Sequence, residues 1–327
     1  MIKTYLKSIV IAVILLNGFV SKAVQLTEHP KAEISNGIVK AQILLPDLEH
    51  GYYKATRFDW SGVISNLDYK GHSYFGTWFD KDNHPAHATI MGPVEAYSPL
   101  NYKDVEVGDA FVKIGIGALL KSSNESHSDF IPYKIVDPGI WELKMTTNSV
   151  EFIHKLSNGG YAYEYIKTIE LVENQPKMII SHRLKNTGLK TISTVGFNHN
   201  FLVLDNQPIG KGVELSFPVA VSGSGRGEDD MFAIQGKKLV FLRLLDNEES
   251  FACKYLEGLN SVEDFDIRLE NHNSRAGVRI TGDYKLPRLR LWGNAKTVCP
   301  ETYINLKVEA GEDYNWSYDY EFYETAE

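Results

Sequence analysis

The chain has 327 residues, 43% hydrophobic and 23% charged, with a formal net charge of −8. That composition suits a soluble globular protein with a large core. The acidic balance argues against nucleic acid as a partner, because phosphate neutralisation needs a basic stripe and none occurs.

Residues 1–23 stand apart. Lys3 and Lys7 precede the apolar run Ile9 to Leu16, and small residues follow at Ser21 and Ala23. This pattern predicts a cleavable secretory signal, cut after Ala23, and hence a periplasmic or secreted protein. The apolar centre is too short to span a bilayer comfortably, so no membrane span is expected after cleavage. Losing the three lysines of this segment would take the formal charge from −8 to −11. Residues 24–327 contain no evident linker or repeat and are read as one domain. Cys253 and Cys299 are the only cysteines. They are open to pairing or to life as buried free thiols, since two cysteines make no disulfide framework.

Short runs from Ala32 to Leu45 alternate around Asn36-Gly37, a hairpin signal. Gly51 to Gly62 carries aromatics at spaced positions and reads as a further strand, and Val63 to Gly76 adds another with a Lys70-Gly71 turn. Residues 76–100 hold Trp78, Asp80, Asp82, His84, His87 and three prolines, and read as a long loop, the kind of segment that often carries function. Asp80-x-Asp82 fails as a calcium loop because Pro85 stands where glycine is required. His84-x-x-His87 has metal-ligand spacing but no convincing third ligand, so no metal is assigned.

Residues 108–120 are apolar and glycine-rich and read as a buried central strand. Tyr161 to Leu184 forms the clearest hairpin, turning at Glu173-Asn174-Gln175-Pro176. Its stripe of Tyr161, Tyr163 and Tyr165 is ordinarily sheet packing, although such a stripe also serves to stack sugar rings. Asp205 to Gly236 is rich in turns. Its Gly223-Ser224-Gly225-Arg226-Gly227-Glu228 fails the dinucleotide pattern at Glu228, and no strand-to-helix context supports a phosphate cradle. No cofactor is expected. Near the C-terminus, Trp316, Tyr318, Tyr320 and Phe322 alternate with Ser317, Asp319 and Glu321, as in a half-buried closing strand. Period-two patterning with frequent turns, and scarce helical patterning, predicts an all-β fold.

The chemistry concentrates in two places. Gly196-Phe197-Asn198-His199-Asn200-Phe201 puts an imidazole at the end of an apolar strand. A carboxylate, Glu301, follows about a hundred residues on in Cys299-Pro300-Glu301-Thr302. A histidine on such a strand is ordinarily a hydrogen-bonded structural residue, and Glu301 alone reads as a strand-end carboxylate.

The run HRLKNTGLKTISTVGFNHNFL resembles the aldose 1-epimerase (galactose mutarotase-like) family, where a strand, an N-x-G turn and an Asn-His motif succeed one another. The C-terminal LRLWGNAKTVCPETYINLKVEAGEDYNWSYDYEF is similar to the Glu-bearing strand and closing segment of that family. The resemblance implies an antiparallel β-super-sandwich with its site on a concave face. It implies acid/base interconversion of the anomers of a mono- or oligosaccharide, with Glu301 as base on the anomeric hydroxyl and His199 as acid on the ring oxygen. Neither metal nor nucleotide is needed for that. Asn198, His84, His87, Arg57, Trp78 and Arg290 are the expected substrate contacts. Three departures stand out: Pro300-Glu301 reverses the family's Glu-Pro order, Asn198-His199-Asn200-Phe201 stands for its Asn-His-Thr/Ser-Tyr-Phe form, and its substrate-binding Asp has no clear counterpart, Asp264 and Asp266 being nearest. Two other readings stay open. One is a non-catalytic carbohydrate-binding protein on the same scaffold. The other is a lyase on uronic-acid polysaccharide, against which the acidic chain counts mildly.

Overall fold

The computed structural model describes residues 29–80 and 84–326; the signal-like segment lies outside them. The described residues form strands in four antiparallel sheets, and their only helix is one 3-10 turn, Ala86–Ala88. The fold is therefore the all-β architecture that the alternating sequence predicts.

Two sheets make the sandwich. In the larger, of ten strands, Tyr161–Leu171 and Lys177–Asn186 form the expected hairpin, and Asp313–Glu324 lies beside Lys177–Asn186. The smaller has six strands. Leu289–Asn294, Val298–Val308, Ile192–Phe201 and Gly92–Tyr97 run side by side in it. Alternation decides what each face does. Trp316, Tyr318, Tyr320 and Phe322 of the larger sheet all point inward and are buried, while Ser317, Asp319 and Glu321 stay partly in solvent. Tyr163 and Tyr165 are buried too, so the tyrosine stripe is packing rather than a sugar platform.

The interior between these sheets is not wholly apolar. Glu95, on Gly92–Tyr97, meets Lys167 of the opposite sheet in a close ion pair. The same carboxylate accepts from Asn198 Nδ2 at 2.8 Å and lies 3.1 Å from His182 Nε2. Burial pushes the Glu95 carboxyl up, but Lys167 and His182 outweigh it and hold it down at about 2. Close by, Tyr165 donates to Asp59 at 3.0 Å. There burial wins over Lys167 and raises the carboxyl to about 6. A buried charge is tolerable only when paired and hydrogen-bonded, which these contacts achieve.

Three local expectations are corrected. Residues 51–62 are not a strand. Their backbone makes single bonds to different neighbours, Asp59 N to Glu95 O at 2.8 Å and Trp60 N to Gly115 O at 3.1 Å, and no ladder. The aromatics Tyr53, Phe58 and Trp60 are instead seated one by one in the core. Residues 108–120 are not one strand but a hairpin, Ala110–Lys113 and Gly117–Leu120, because Gly115 and Gly117 take positive φ angles of 75° and 140°. The loop expected over 76–100 ends earlier, since Gly92–Tyr97 joins the six-stranded sheet. Cys253 and Cys299 are both free and buried.

Candidate functional site

The outward face of the six-stranded sheet carries the candidate site. Register makes His199 the direct cross-strand partner of Glu301, and Glu301 in turn the partner of Arg290. One row along, Phe197 pairs with Tyr303, whose N–H donates to the Arg288 carbonyl at 3.1 Å. The strand period of two puts Phe197, His199 and Phe201 on the same face as Glu301, Tyr303, Arg288, Arg290 and Trp292.

His199 Nε2 lies 3.7 Å from Glu301 Oε1, beyond a good hydrogen bond. His199 Nδ1 is buried with no hydrogen-bond partner. His199 Nε2 and Glu301 Oε1 thus face each other with no hydrogen bond between them. The other carboxylate oxygen is held: Tyr303 donates to Oε2 at 3.1 Å, Arg290 Nη1 lies 3.5 Å from it, and Arg290 Nη1 also donates to the Tyr303 hydroxyl at 3.1 Å. This fixes Glu301 with one oxygen turned to His199.

Aromatic rings wall the pair. Phe201 stacks on His199 at 4.0 Å between centroids, Trp78 stacks on Phe201 at 4.8 Å, and Phe58 meets His199 edge-on at 5.8 Å. Arg57 lies between two rings, 4.5 Å from the Phe58 centroid and 4.9 Å from that of Phe130. Arg288 rests on the Tyr303 ring at 3.4 Å. The surroundings act on the acid/base pair in opposite senses. Burial drives the His199 imidazole well below its usual range, and Arg57 and Arg290 add to this. Burial raises the Glu301 carboxyl, only partly opposed by Arg290, Tyr303, Arg57 and Arg288. Each shift is towards the other group's ordinary range.

No family model matches the chain, and no curated protein matches it. Solved structures do. A galactose mutarotase-like protein from Lactobacillus casei superposes with a TM-score of 0.55 at 13% identity, over 90% of this chain and 100% of the other. The aldose epimerase homologue from C. elegans gives 0.53 at 14% identity, over 91% and 100%. The putative aldose 1-epimerase from Escherichia coli K12 gives 0.52 at 11%, over 90% and 99%. The fold is the galactose mutarotase-like β-sandwich.

On this mutarotase-like sandwich the expected site residues fall into groups. His199, Glu301 and Arg290 come together on one face, and Arg57 closes in from the loop before the sheet. His87 is beside them, its ring 5.5 Å from that of Phe130 and its carbonyl accepting from the Tyr53 hydroxyl at 2.9 Å. Trp78 is wall rather than contact: it is buried, and its Nε1 donates to the Ile90 carbonyl at 2.8 Å. His84 lies behind it, edge-on to Trp78 at 4.9 Å and stacked on Phe79 at 5.3 Å, with Nε2 buried and unpartnered. Asn198 faces the other way. As the neighbour of His199 on a strand it points into the sandwich, is fully buried, and binds Glu95 instead of facing the open side. Asp264 caps the backbone of Asn260 and Ser261, and Asp266 pairs with Arg279 on the ten-stranded sheet, so neither reaches the site. Tyr303 and Arg288 were not anticipated, though the alternation Glu301-x-Tyr303 and Arg288-x-Arg290-x-Trp292 puts them on the site face.

Proposed function

We propose that this is a carbohydrate-active protein that interconverts the anomers of an aldose by acid/base catalysis at His199 and Glu301. The observation carrying this reading is the cross-strand pair itself: His199 Nε2 and Glu301 Oε1 face each other 3.7 Å apart, close but not hydrogen-bonded. The anomeric hydroxyl and the ring oxygen are borne by one carbon, so two such groups can each reach one of them.

The pair enters with one proton shared between its members. Glu301 as carboxylate takes the proton of the anomeric hydroxyl while His199 as imidazolium gives its proton to the ring oxygen. The bond from the anomeric carbon to the ring oxygen breaks and a carbonyl forms. The chain turns about the bond to the next carbon. In closure the new hydroxyl returns its proton to His199, and Glu301 returns its own to the carbonyl oxygen from the other face, so protons balance. Burial lowers the proton affinity of His199 and raises that of Glu301, so the imidazolium–carboxylate state that begins ring opening has to be drawn out by the bound sugar. Tyr303 and Arg290 hold the carboxylate in place through both half-reactions. The signal-like segment 1–23 supports placing this activity outside the cytoplasm.

The test is saturation transfer between anomer resonances of free sugars, neutral and acidic, with and without the protein. Exchange faster than in buffer for some sugar supports the reading. A sugar that broadens on binding but exchanges no faster makes the chain a carbohydrate-binding protein instead.

A further inference from the structure

Although the chain as a whole is acidic, its candidate site is not. Three guanidinium groups, Arg57, Arg288 and Arg290, act on the single carboxylate of Glu301. Only Arg290 lies within ion-pair distance of it. Among the described residues no carboxylate reaches Arg57 or Arg288, and neither side chain donates a hydrogen bond to a described acceptor. Asp129, which acts on Arg57 through space, is already held by Lys113 Nζ at 2.6 Å. Arg288 Nε is buried without a partner. Arg57 is half-buried, and burial lowers its proton affinity against the weaker pull of its neighbours. Guanidiniums partly withdrawn from water and left unpaired are costly, and an anion brought in by a ligand would offset that cost. Their mounting fits this too. The Arg57 guanidinium lies over the Phe58 and Phe130 rings and that of Arg288 over Tyr303, contacts that use no N–H group and leave the planar fork suited to an acid.

We propose that the sugar taken by this site carries an acid group, a carboxylate or a phosphate ester, bound by Arg57 and Arg288 beside the His199–Glu301 pair. The inference rests on the anomer-exchange reading only for what happens to the sugar after it binds. A bound acid also offsets the positive charge that Arg57 and Arg290 hold against an imidazolium at His199, so the group that anchors the sugar also favours the protonated acid that ring opening needs.

Calorimetric titration tests binding separately from turnover. The full chain is titrated with glucose, galactose, glucuronate, galacturonate and glucose 6-phosphate, and anomer exchange is followed in parallel samples. Each charge-assisted hydrogen bond gained corresponds to a tenfold to hundredfold gain in affinity, roughly. At least one acid sugar is expected to bind tenfold or more tightly than its neutral parent, and added salt should weaken it. The uronates and the phosphate ester separate the two acid types. Arg57→Lys and Arg288→Gln should each erase most of that preference, with the thermal midpoint checked to exclude unfolding. Neutral and acid sugars binding equally, only neutral sugars binding, or no acid sugar binding would each overturn the proposal. Acid sugars that bind selectively, with no sugar exchanging, would leave it standing and remove the catalytic reading; neutral sugars that exchange while no acid sugar binds more tightly would do the reverse.

Discussion

Replacing Lys167 by Met should be among the most damaging single changes in the sandwich, although Lys167 is far from any expected catalytic group in the sequence. Lys167 and Glu95 are each 1% exposed, and they link the two sheets. Removing the ammonium leaves a buried carboxylate with His182 and Asn198 alone, and breaking a buried pair from one side costs about 3–5 kcal/mol. Lys167 and His182 also hold the Glu95 carboxyl below its ordinary range against the opposing effect of burial, which ties the pair's contribution to pH. Its sign is that of a lowered carboxyl: the contribution is complete above pH 4.5 and is lost as pH falls towards 2. Glu95→Gln with Lys167→Met removes both charges, so the double variant should be less destabilised than the sum of the singles by about 2 kcal/mol or more. Equilibrium unfolding in urea at pH 7 reads all four proteins. A Lys167→Met cost below about 1 kcal/mol, or strictly additive costs, would refute the view that this ion pair carries the contact between sheets.

His154 is fully buried, stacked on Trp141, and burial lowers it from 6.5 to about 4. A lowered imidazole contributes fully above pH 6.5 and loses that contribution as pH falls towards 4, so wild type should lose about 2 kcal/mol from this residue between pH 7 and 5. His154→Phe should flatten that slope in chemical denaturation; an unchanged slope would show that His154 does not titrate as described. Gly92 has a φ of 71°, and an added Cβ would lie 2.7 Å from the Ile64 carbonyl oxygen and 2.9 Å from its Cβ. Gly92→Ala should therefore cost about 1–3 kcal/mol and lower the thermal midpoint, and an unaltered midpoint would contradict the register assigned beside Phe201.

The sequence carried the fold well because strand alternation is local. The hairpins at Asn36-Gly37 and at 173–176, and the face shared by Trp316, Tyr318, Tyr320 and Phe322, need no distant partner to be read. Segment 51–62 misled because its aromatics serve separate pockets and not one sheet face. The His199–Glu301 pair was legible from its motifs. Asn198 was not placed correctly, since adjacent strand residues face opposite sides and the motif names both. The Glu95–Lys167–His182 network could not have been read, because Glu95 lies 72 residues before Lys167 and farther still before His182, and only the facing of the two sheets brings it to them. Whole-chain charge likewise concealed the site's positive character, which depends on Arg57 arriving from a loop beside Arg288 and Arg290.

The most direct test of the central claim compares wild type with His199→Gln and Glu301→Gln on whichever sugar binds best. Polarimetry follows a freshly dissolved single anomer, and calorimetry measures binding in the same samples. The account predicts that both variants still bind the sugar but lose exchange by about a hundredfold or more, the scale of a removed acid or base. Exchange persisting at the wild-type rate in either variant would contradict it.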